Sequence, residues 1–258
     1  MRSARLIGAS TSSPLPAVVL VAHGSRDPRA AASTEALARA VRRARPEWLV
    51  RAAYLDHAGP RPLEVLGSLG ARRAVLVPLL LTEAYHGRVD LPAVLAEAAD
   101  LPVEVALAEV LGPRRAEPGR VRMPRLLLEA LVRRLPDAEF DAVVLAAAGT
   151  RDAVARGTVG YAAAALGARL GVPSAVSYSS GVGPRAGDAV HVLRDGGARR
   201  VAVAGYFLAP GQLYDLAAGS AREAGAVSVA EPLGDVPELV GLISARVAAA
   251  GARMAVAA

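Results

Sequence analysis

The chain has 258 residues, enough for one large or two modest globular domains, and 53% of them are hydrophobic. Because it contains no cysteine, disulfides, thiolate metal sites and iron–sulfur clusters are excluded, and any metal must bind to imidazole or oxygen ligands. The net charge of +6 comes from arginine without lysine, and aromatic residues make up only 3% of the chain, so we expect no nucleic-acid partner.

Short apolar runs alternate with amphipathic segments through the first half of the chain, which is typical of parallel β/α units. After a flexible N-terminal segment over residues 1–16, strands are predicted at 17–22, 49–55, 74–81 and 103–107, with helices from about residue 28 and over about 123–135. The run at 74–81 is continuously apolar, as in strands that helices cover on both faces. Arg114 to Arg122, rich in Arg, Gly and Pro, is predicted to be a surface loop.

The pattern restarts after Pro136 and Asp137, which predicts an internal duplication. Segments 23–27, 71–73 and 107–112 match segments 148–152, 198–200 and 229–234 in the same order. Chance similarity between two α/β units is the alternative, and three matches in one order disfavour it. We therefore predict an α/β protein with two similar doubly wound parallel-sheet domains, residues 17–137 and 138–258, and an active-site cleft between them.

Two histidines follow strands that should be neighbours in the first sheet. His23 comes directly after the strand at 17–22, and His86 lies in the loop after the strand at 74–81. In a sheet of order 2-1-3-4 these strands flank the switch point, and ligands bind outside their carboxyl ends. Two neutral imidazoles there can hold a divalent metal or accept protons, and metal insertion into a tetrapyrrole requires both. For a lone His-Gly, a turn with a structural histidine is the simpler interpretation.

Two segments resemble motifs of the sirohydrochlorin chelatases, which are class II chelatases. Residues 18–28, VVLVAHGSRDP, resemble the opening motif, and VPLLL at 77–81 followed by HGRVDLP at 86–92 resembles the second motif. The resemblance covers residues 17–113 and recurs in degraded form over 141–235. It implies that His23 and His86 bind the metal and assist proton removal in a cleft between two similar halves. It also implies Co²⁺ or Fe²⁺ as the substrate metal, with Ni²⁺ as a further candidate, and no tightly bound cofactor.

Five residues close to the two histidines are further candidates for the site. Arg26 and Arg88 are candidates to bind the carboxylates of the substrate, with Ser25 as a hydroxyl or backbone N–H donor. Tyr85 is expected to lie against the face of the macrocycle, with anchoring of its loop as the alternative. Glu83 lies three residues before the second histidine and is a candidate to orient it or to receive protons. For the arginines, a solvated loop is the alternative.

Other histidines and loops suggest no second site. His57 and His191 have no motif around them and are predicted to be ordinary surface histidines. A histidine phosphatase would carry an arginine directly beside its nucleophile, where this chain has Ala22. The glycine-rich segment 181–187 lacks the spacing of a dinucleotide loop and is predicted to be a flexible turn. Because Ala148 stands in the second half where the first has a histidine, we expect a single catalytic centre.

The hypothesis from sequence is a metal-inserting lyase that acts on sirohydrochlorin or a related acidic tetrapyrrole, for cobalamin or sirohaem biosynthesis. The longest apolar run, Ala74 to Leu81, is far shorter than the roughly 20 residues of a membrane span, and the N-terminal apolar stretches are too short for a signal peptide. We therefore expect a cytoplasmic enzyme with no membrane partner. The alternative is a non-catalytic divalent-metal chaperone or binding protein. The physiological metal and the oligomeric state stay open.

Overall fold

The computed structural model describes residues 17–82, 90–117 and 120–257. In the first half of the chain (residues 17–137), the elements in chain order are β1 (Ala17–Ala22), α1 (Pro28–Ala44), β2 (Val50–Tyr54), α2 (Pro62–Ser68), β3 (Arg73–Pro78), α3 (Leu91–Ala98), β4 (Glu104–Leu107), β5 (Arg114–Glu117), β6 (Arg120–Arg122) and α4 (Arg125–Arg134). Strands β1 to β4 form a parallel sheet in the order β2-β1-β3-β4. Strand β1, which ends directly before His23, is therefore a central strand of its sheet.

The second half (residues 138–257) repeats this arrangement. Its elements are β7 (Ala142–Ala147), α5 (Ala153–Leu170), β8 (Ser174–Tyr178), α6 (Ala186–Asp195), β9 (Val201–Tyr206), α7 (Gln212–Glu223), β10 (Ser228–Val229) and α8 (Pro237–Ala257). The four strands are parallel and pair in the order β10-β9-β7-β8, which matches the first sheet strand for strand when read from β8. The predicted α/β fold with two similar parallel sheets is confirmed.

The central strands are apolar on both faces because each sheet is covered on both sides. In β1, Val18 and Leu20 belong to one hydrophobic core, while Val19 and Val21 belong to another on the opposite face. The central strand of the second sheet alternates in the same way: its Leu145 shares the core of Leu20, and its neighbours along the strand belong to a third core. Because alternate side chains along each strand point to opposite faces, one face of each sheet contributes its side chains to the same core.

Helices of both halves form the layer between the two sheets, and each half contributes its last helix to the other. Helix α8 of the second half contacts α1, β3 and β4, whereas α4 of the first half contacts α5 and β9. Leu127 and Leu131 of α4 and Leu239 and Ile243 of α8 are at most 1% exposed and lie in the common core. The boundary at residue 137 remains a prediction from the sequence repeat, while the packing of the two halves is mutual.

Helix α8 is long and apolar enough to cross a membrane by length and composition, over Pro237–Val256 with a mean hydropathy of 1.5. Its buried residues Leu239, Ile243, Val247 and Ala250 belong to the core shared by the two sheets. A core helix of a globular fold explains the same apolar composition.

The segment predicted as a surface loop, Arg114 to Arg122, is instead an antiparallel hairpin of β5 and β6, and that prediction is wrong. An ion-pair cluster holds its first strand. Arg114 contacts the carboxylate of Glu109, which also binds Arg246 of α8 at 2.6 Å. The segment was predicted as a loop because its strands, RRAE and RVR, are mostly charged and lack the apolar alternation of a half-buried strand.

Candidate active-site cleft

Two loops at the carboxyl edge of the first sheet are fixed against each other. Strands β1 and β2 are paired up to Ala22 and Tyr54, and the backbone N–H of Asp56 then donates to the carbonyl of His23 at 2.8 Å. Gly24 has a φ of +93°, and a Cβ added there would lie 1.8 Å from the carbonyl oxygen of Asp56. Glycine is therefore required at this position, both for the left-handed backbone and for the close approach of the two loops.

His23 is half-buried directly after β1, and its ring has a defined hydrogen bond. Nδ1 lies 3.0 Å from the carbonyl oxygen of Gly24. Because a carbonyl only accepts, Nδ1 carries the hydrogen in the neutral ring, and the lone pair resides on Nε2. A backbone carbonyl on one ring nitrogen is also the arrangement that orients metal-binding histidines in proteins.

His57 follows β2 and lies beside His23, with the two ring centroids 6.0 Å apart. It was predicted as an ordinary surface histidine; it is exposed, as predicted, and it also lines the same cleft as His23. The position directly after β2, at the same edge of the sheet as the end of β1, was the available signal. Its backbone has a φ of +59°, a left-handed conformation that is uncommon for a residue other than glycine.

Asp56 holds His57 through both carboxylate oxygens. Oδ1 accepts from the backbone N–H of His57 at 2.8 Å, and Oδ2 lies 3.4 Å from its Nε2. The pKa of Asp56 is lowered, first by this backbone hydrogen bond and then by the charges of His57, Arg61 and His23. An ionised carboxylate therefore lies next to His57, at the end of the cleft that His23 and His57 line, at neutral pH.

The cleft has a volume of about 1200 Å³ and is lined by residues of both halves of the molecule. This volume exceeds the roughly 300 to 1,000 Å³ of typical pockets for drug-sized ligands, so a macrocycle can enter. The first half contributes the β1–α1 loop and His57. The second half contributes Phe207, Leu213 and Leu216, of which the last two are 37% and 54% exposed. The wall from the first half is therefore polar, and the wall from the second half places these apolar side chains among polar ones such as Gln212, Asp215 and Glu223.

The β1–α1 loop also places Ser25 and Arg26 on the polar wall. Ser25 Oγ accepts from the backbone N–H of Asp27 at 3.1 Å, which leaves its hydroxyl hydrogen able to donate. Arg26 is exposed, lines the cleft and makes no hydrogen bond or ion pair with the part of the chain that the structure describes. Both residues line the cleft that His23 lines, and their roles in substrate binding stay predictions.

An ion pair between described residues crosses the cleft. Arg29 in the first turn of α1 binds the carboxylate of Asp215 on α7 at 2.6 Å, and it also binds Asp27. The two carboxylates, first Asp27 and then Asp215, raise the pKa of the guanidinium. The side chains of Arg29 and Asp215 are about half exposed, so the pair contributes little to stability but ties the polar wall to α7.

Four of the predicted site residues, Glu83, Tyr85, His86 and Arg88, lie outside the described residues. The strand before them, β3, pairs with β1, and Leu79 lines a small pocket together with His23. Within residues 17–82, 90–117 and 120–257, no three or more His, Asp or Glu side chains converge as a ready metal site. The described part of the cleft therefore supplies a pair of imidazoles with a carboxylate nearby.

The second half keeps the backbone of these loops without their chemistry. Gly149 has a φ of +100°, a Cβ there would lie 2.0 Å from the carbonyl oxygen of Ser180, and the N–H of Ser180 donates to Ala148 at 2.9 Å. The positions of His23, Asp56 and His57 in the first half are occupied by Ala148, Ser180 and Gly181 in the second. The geometry that fixes the loops is duplicated, but the imidazoles of the described loops occur in the first half alone.

Comparison with known proteins gives one family and several solved structures of the same fold. The family model CbiX matches residues 17–116 and 142–250. The sirohydrochlorin chelatase SirB from Bacillus subtilis subspecies spizizenii in complex with cobalt is 20% identical, with a TM-score of 0.72 over 90% of this chain and 94% of that one. SirB from Bacillus subtilis with Fe³⁺ is also 20% identical, with a TM-score of 0.71 over the same shares.

A third solved structure is CbiX, the terminal enzyme for biosynthesis of siroheme in denitrifying bacteria. It is 22% identical, with a TM-score of 0.61 over 91% of this chain and 99% of that one. A search of curated proteins yields no match. At these identities the solved structures show a shared fold, in which both halves of this chain take part.

Proposed function

The chain belongs to the CbiX family, and from that premise we propose that it inserts a divalent metal ion into an acidic tetrapyrrole of the sirohydrochlorin class. The observation that carries the proposal is the presence of His23 and an adjacent carboxylate in a wide cleft between two halves of one fold. The solved structures of SirB with cobalt and with Fe³⁺ support the choice of metal.

The two walls of the cleft suit two parts of such a substrate. Leu213 and Leu216 offer an apolar surface to one face of the macrocycle, and the largely buried Phe207 lines the same cleft. On the opposite wall Arg26 binds a peripheral carboxylate through its planar fork, and Ser25 donates its hydroxyl to another. The macrocycle then lies between the two leucines and the loop that carries His23.

Metal insertion requires a group that presents the ion and a path for two pyrrole protons. His23 Nε2, the nitrogen that carries the lone pair, binds the ion or accepts a proton. The ionised carboxylate of Asp56 attracts the cation to this end of the cleft. From sequence we further propose that His86 is a metal ligand, that Glu83 orients it or receives protons, and that Tyr85 and Arg88 contact the macrocycle and its carboxylates.

The test is a direct insertion assay. Purified protein is mixed with sirohydrochlorin and Co²⁺, Fe²⁺ or Ni²⁺, and the visible spectrum is followed against the uncatalysed reaction. We expect acceleration with at least one metal. A preference for Co²⁺ would favour cobalamin biosynthesis, and a preference for Fe²⁺ would favour sirohaem biosynthesis. If the protein binds Co²⁺ but accelerates insertion of none of the three metals, it is a metal-delivery protein and the proposal is wrong.

A further inference from the structure

His57 occupies a backbone position that the fold does not require to be a histidine. Its φ is +59°, and the equivalent residue of the second half is Gly181, with a φ of +74°. Glycine adopts this conformation without the steric penalty that a Cβ brings. The second half builds the same turn with glycine, so the imidazole of the first half is kept in an unfavourable conformation that the turn itself does not need.

The position of the ring matches that of a second metal ligand. Two imidazoles that bind one ion at about 2.1 Å have centroids roughly 5 to 6 Å apart, and those of His23 and His57 are 6.0 Å apart. The side chain of His57 is 35% exposed, so an ion arriving from solvent reaches it. The backbone hydrogen bond between Asp56 and His23 holds the two loops that carry these rings against each other.

We propose that His57 binds the incoming divalent metal together with His23, as a docking ligand at the end of the cleft. This inference rests on the proposed function and adds a residue to it. Asp56 is the positioning residue, because its carboxylate holds both the backbone N–H and the ring of His57. On transfer, the two imidazole–metal bonds and two bonds from the ion to water are replaced by four pyrrole nitrogen–metal bonds, and the two pyrrole protons leave to solvent.

The inference is tested by equilibrium binding of Co²⁺ without tetrapyrrole, on protein freed of any histidine tag. The variants are His57→Gly, which reproduces the glycine of the second half, and His57→Asn, since asparagine tolerates the left-handed backbone. His191→Ala is the control, because His191 is an exposed residue of α6 outside the cleft. Calorimetry gives the affinity, and thermal unfolding gives the stability of each variant.

We expect both His57 variants to bind Co²⁺ at least about tenfold more weakly, with a melting temperature no lower than that of the wild type for His57→Gly. The spectrum of the Co²⁺ complex should also lose one shifted imidazole N–H resonance in NMR. His191→Ala should match the wild type in all three measurements. Unchanged Co²⁺ affinity in both His57 variants would overturn the inference and make His57 a turn residue.

The outcome separates this inference from the proposed function. Wild-type protein that inserts metal while His57→Gly binds Co²⁺ normally would refute the role of His57 and leave the chelatase intact. Wild-type protein that inserts no metal, while His57→Gly binds Co²⁺ more weakly, would refute the chelatase and leave the two-histidine metal site intact.

Discussion

At the scale of single residues, Gly24 sets the distance between the two loops that carry His23 and His57. We expect Gly24→Ala to lower the free energy of unfolding by about 2 to 4 kcal/mol, because it combines a left-handed backbone with a collision against the carbonyl of Asp56. Urea denaturation measures the loss. The matched control is Gly67→Ala in α2, where an added Cβ meets nothing within 4 Å. That change should be neutral or stabilising by up to about 1 kcal/mol.

Equal stability of the Gly24→Ala and Gly67→Ala proteins would show that the two loops are not clamped as described. The difference between the two variants matters more than either value, since both replace a glycine by the same residue and share the effect of alanine on the unfolded chain.

Arg26 is the arginine of the described loop that faces the cleft without a partner. We expect Arg26→Ala mainly to raise KM for a tetrapyrrole with eight carboxylates, because a contact made equally in the ground and transition states is lost. Arg26→Lys should recover part of the loss, since the ammonium keeps the charge but not the planar fork. Arg39→Ala, on the exposed side of α1, is the control. A KM unchanged by Arg26→Ala would remove Arg26 from the binding site.

Single residues also show where sequence reasoning reached its limit. The place of His23 and Ser25 followed from the strand before them and from the motif. His57 was not singled out because no motif surrounds it, and because its left-handed backbone and its approach to the ring of His23 are not visible in the flanking residues. A motif search finds residues close in sequence, whereas the partner of His23 in the described cleft is 34 positions away.

At the scale of elements, α4 of the first half packs on the second sheet and α8 of the second half packs on the first. The stability of each half therefore depends on the other. Ile243 of α8 is fully buried in the common core. We expect Ile243→Ala to lower the free energy of unfolding by about 2 to 5 kcal/mol, because it leaves a cavity between the sheets. Val256→Ala, at a residue that is 89% exposed near the end of the same helix, should change it by less than about 0.5 kcal/mol.

The fluorescence of Trp48 reports whether the destabilisation caused by Ile243→Ala reaches the first half of the chain. Trp48 is the single tryptophan of the chain and packs against the common core from the first half. Because α8 covers β3 and β4, Ile243→Ala should shift the Trp48 transition and the far-UV circular dichroism transition together. A Trp48 transition that stays at the wild-type denaturant concentration would contradict mutual packing of the halves.

Some elements were predicted correctly from the sequence, and others were not. The long apolar strands were found to within a few residues, because a strand covered on both faces is continuously hydrophobic. The exchange of α4 and α8 was not foreseen, since helix periodicity identifies an apolar face but not the sheet that receives it. The β5–β6 hairpin was taken for a loop because its strands, RRAE and RVR, are mostly charged and show no apolar alternation.

At the scale of the whole molecule, the duplication keeps a common backbone while the two halves diverge in chemistry. Matched segments in the sequence were enough to predict two similar sheets, because strand order and turn glycines repeat with the loops that carry them. The asymmetry was visible only in part, as Ala148 in place of His23. The loss of Asp56 and His57, replaced by Ser180 and Gly181, became evident once the loops could be aligned in space.

The single measurement that tests the central claim most directly is the initial rate of Co²⁺ insertion into sirohydrochlorin by wild type, His23→Ala and Ala148→His. We expect His23→Ala to reduce the rate at least about 100-fold with an unchanged melting temperature, because the half-buried ring acts on the metal and its protons and not on the fold. Ala148→His should leave the wild-type rate unchanged, since the second half lacks the partners of His23. A His23→Ala protein that inserts Co²⁺ and Fe²⁺ at near wild-type rates would contradict the account.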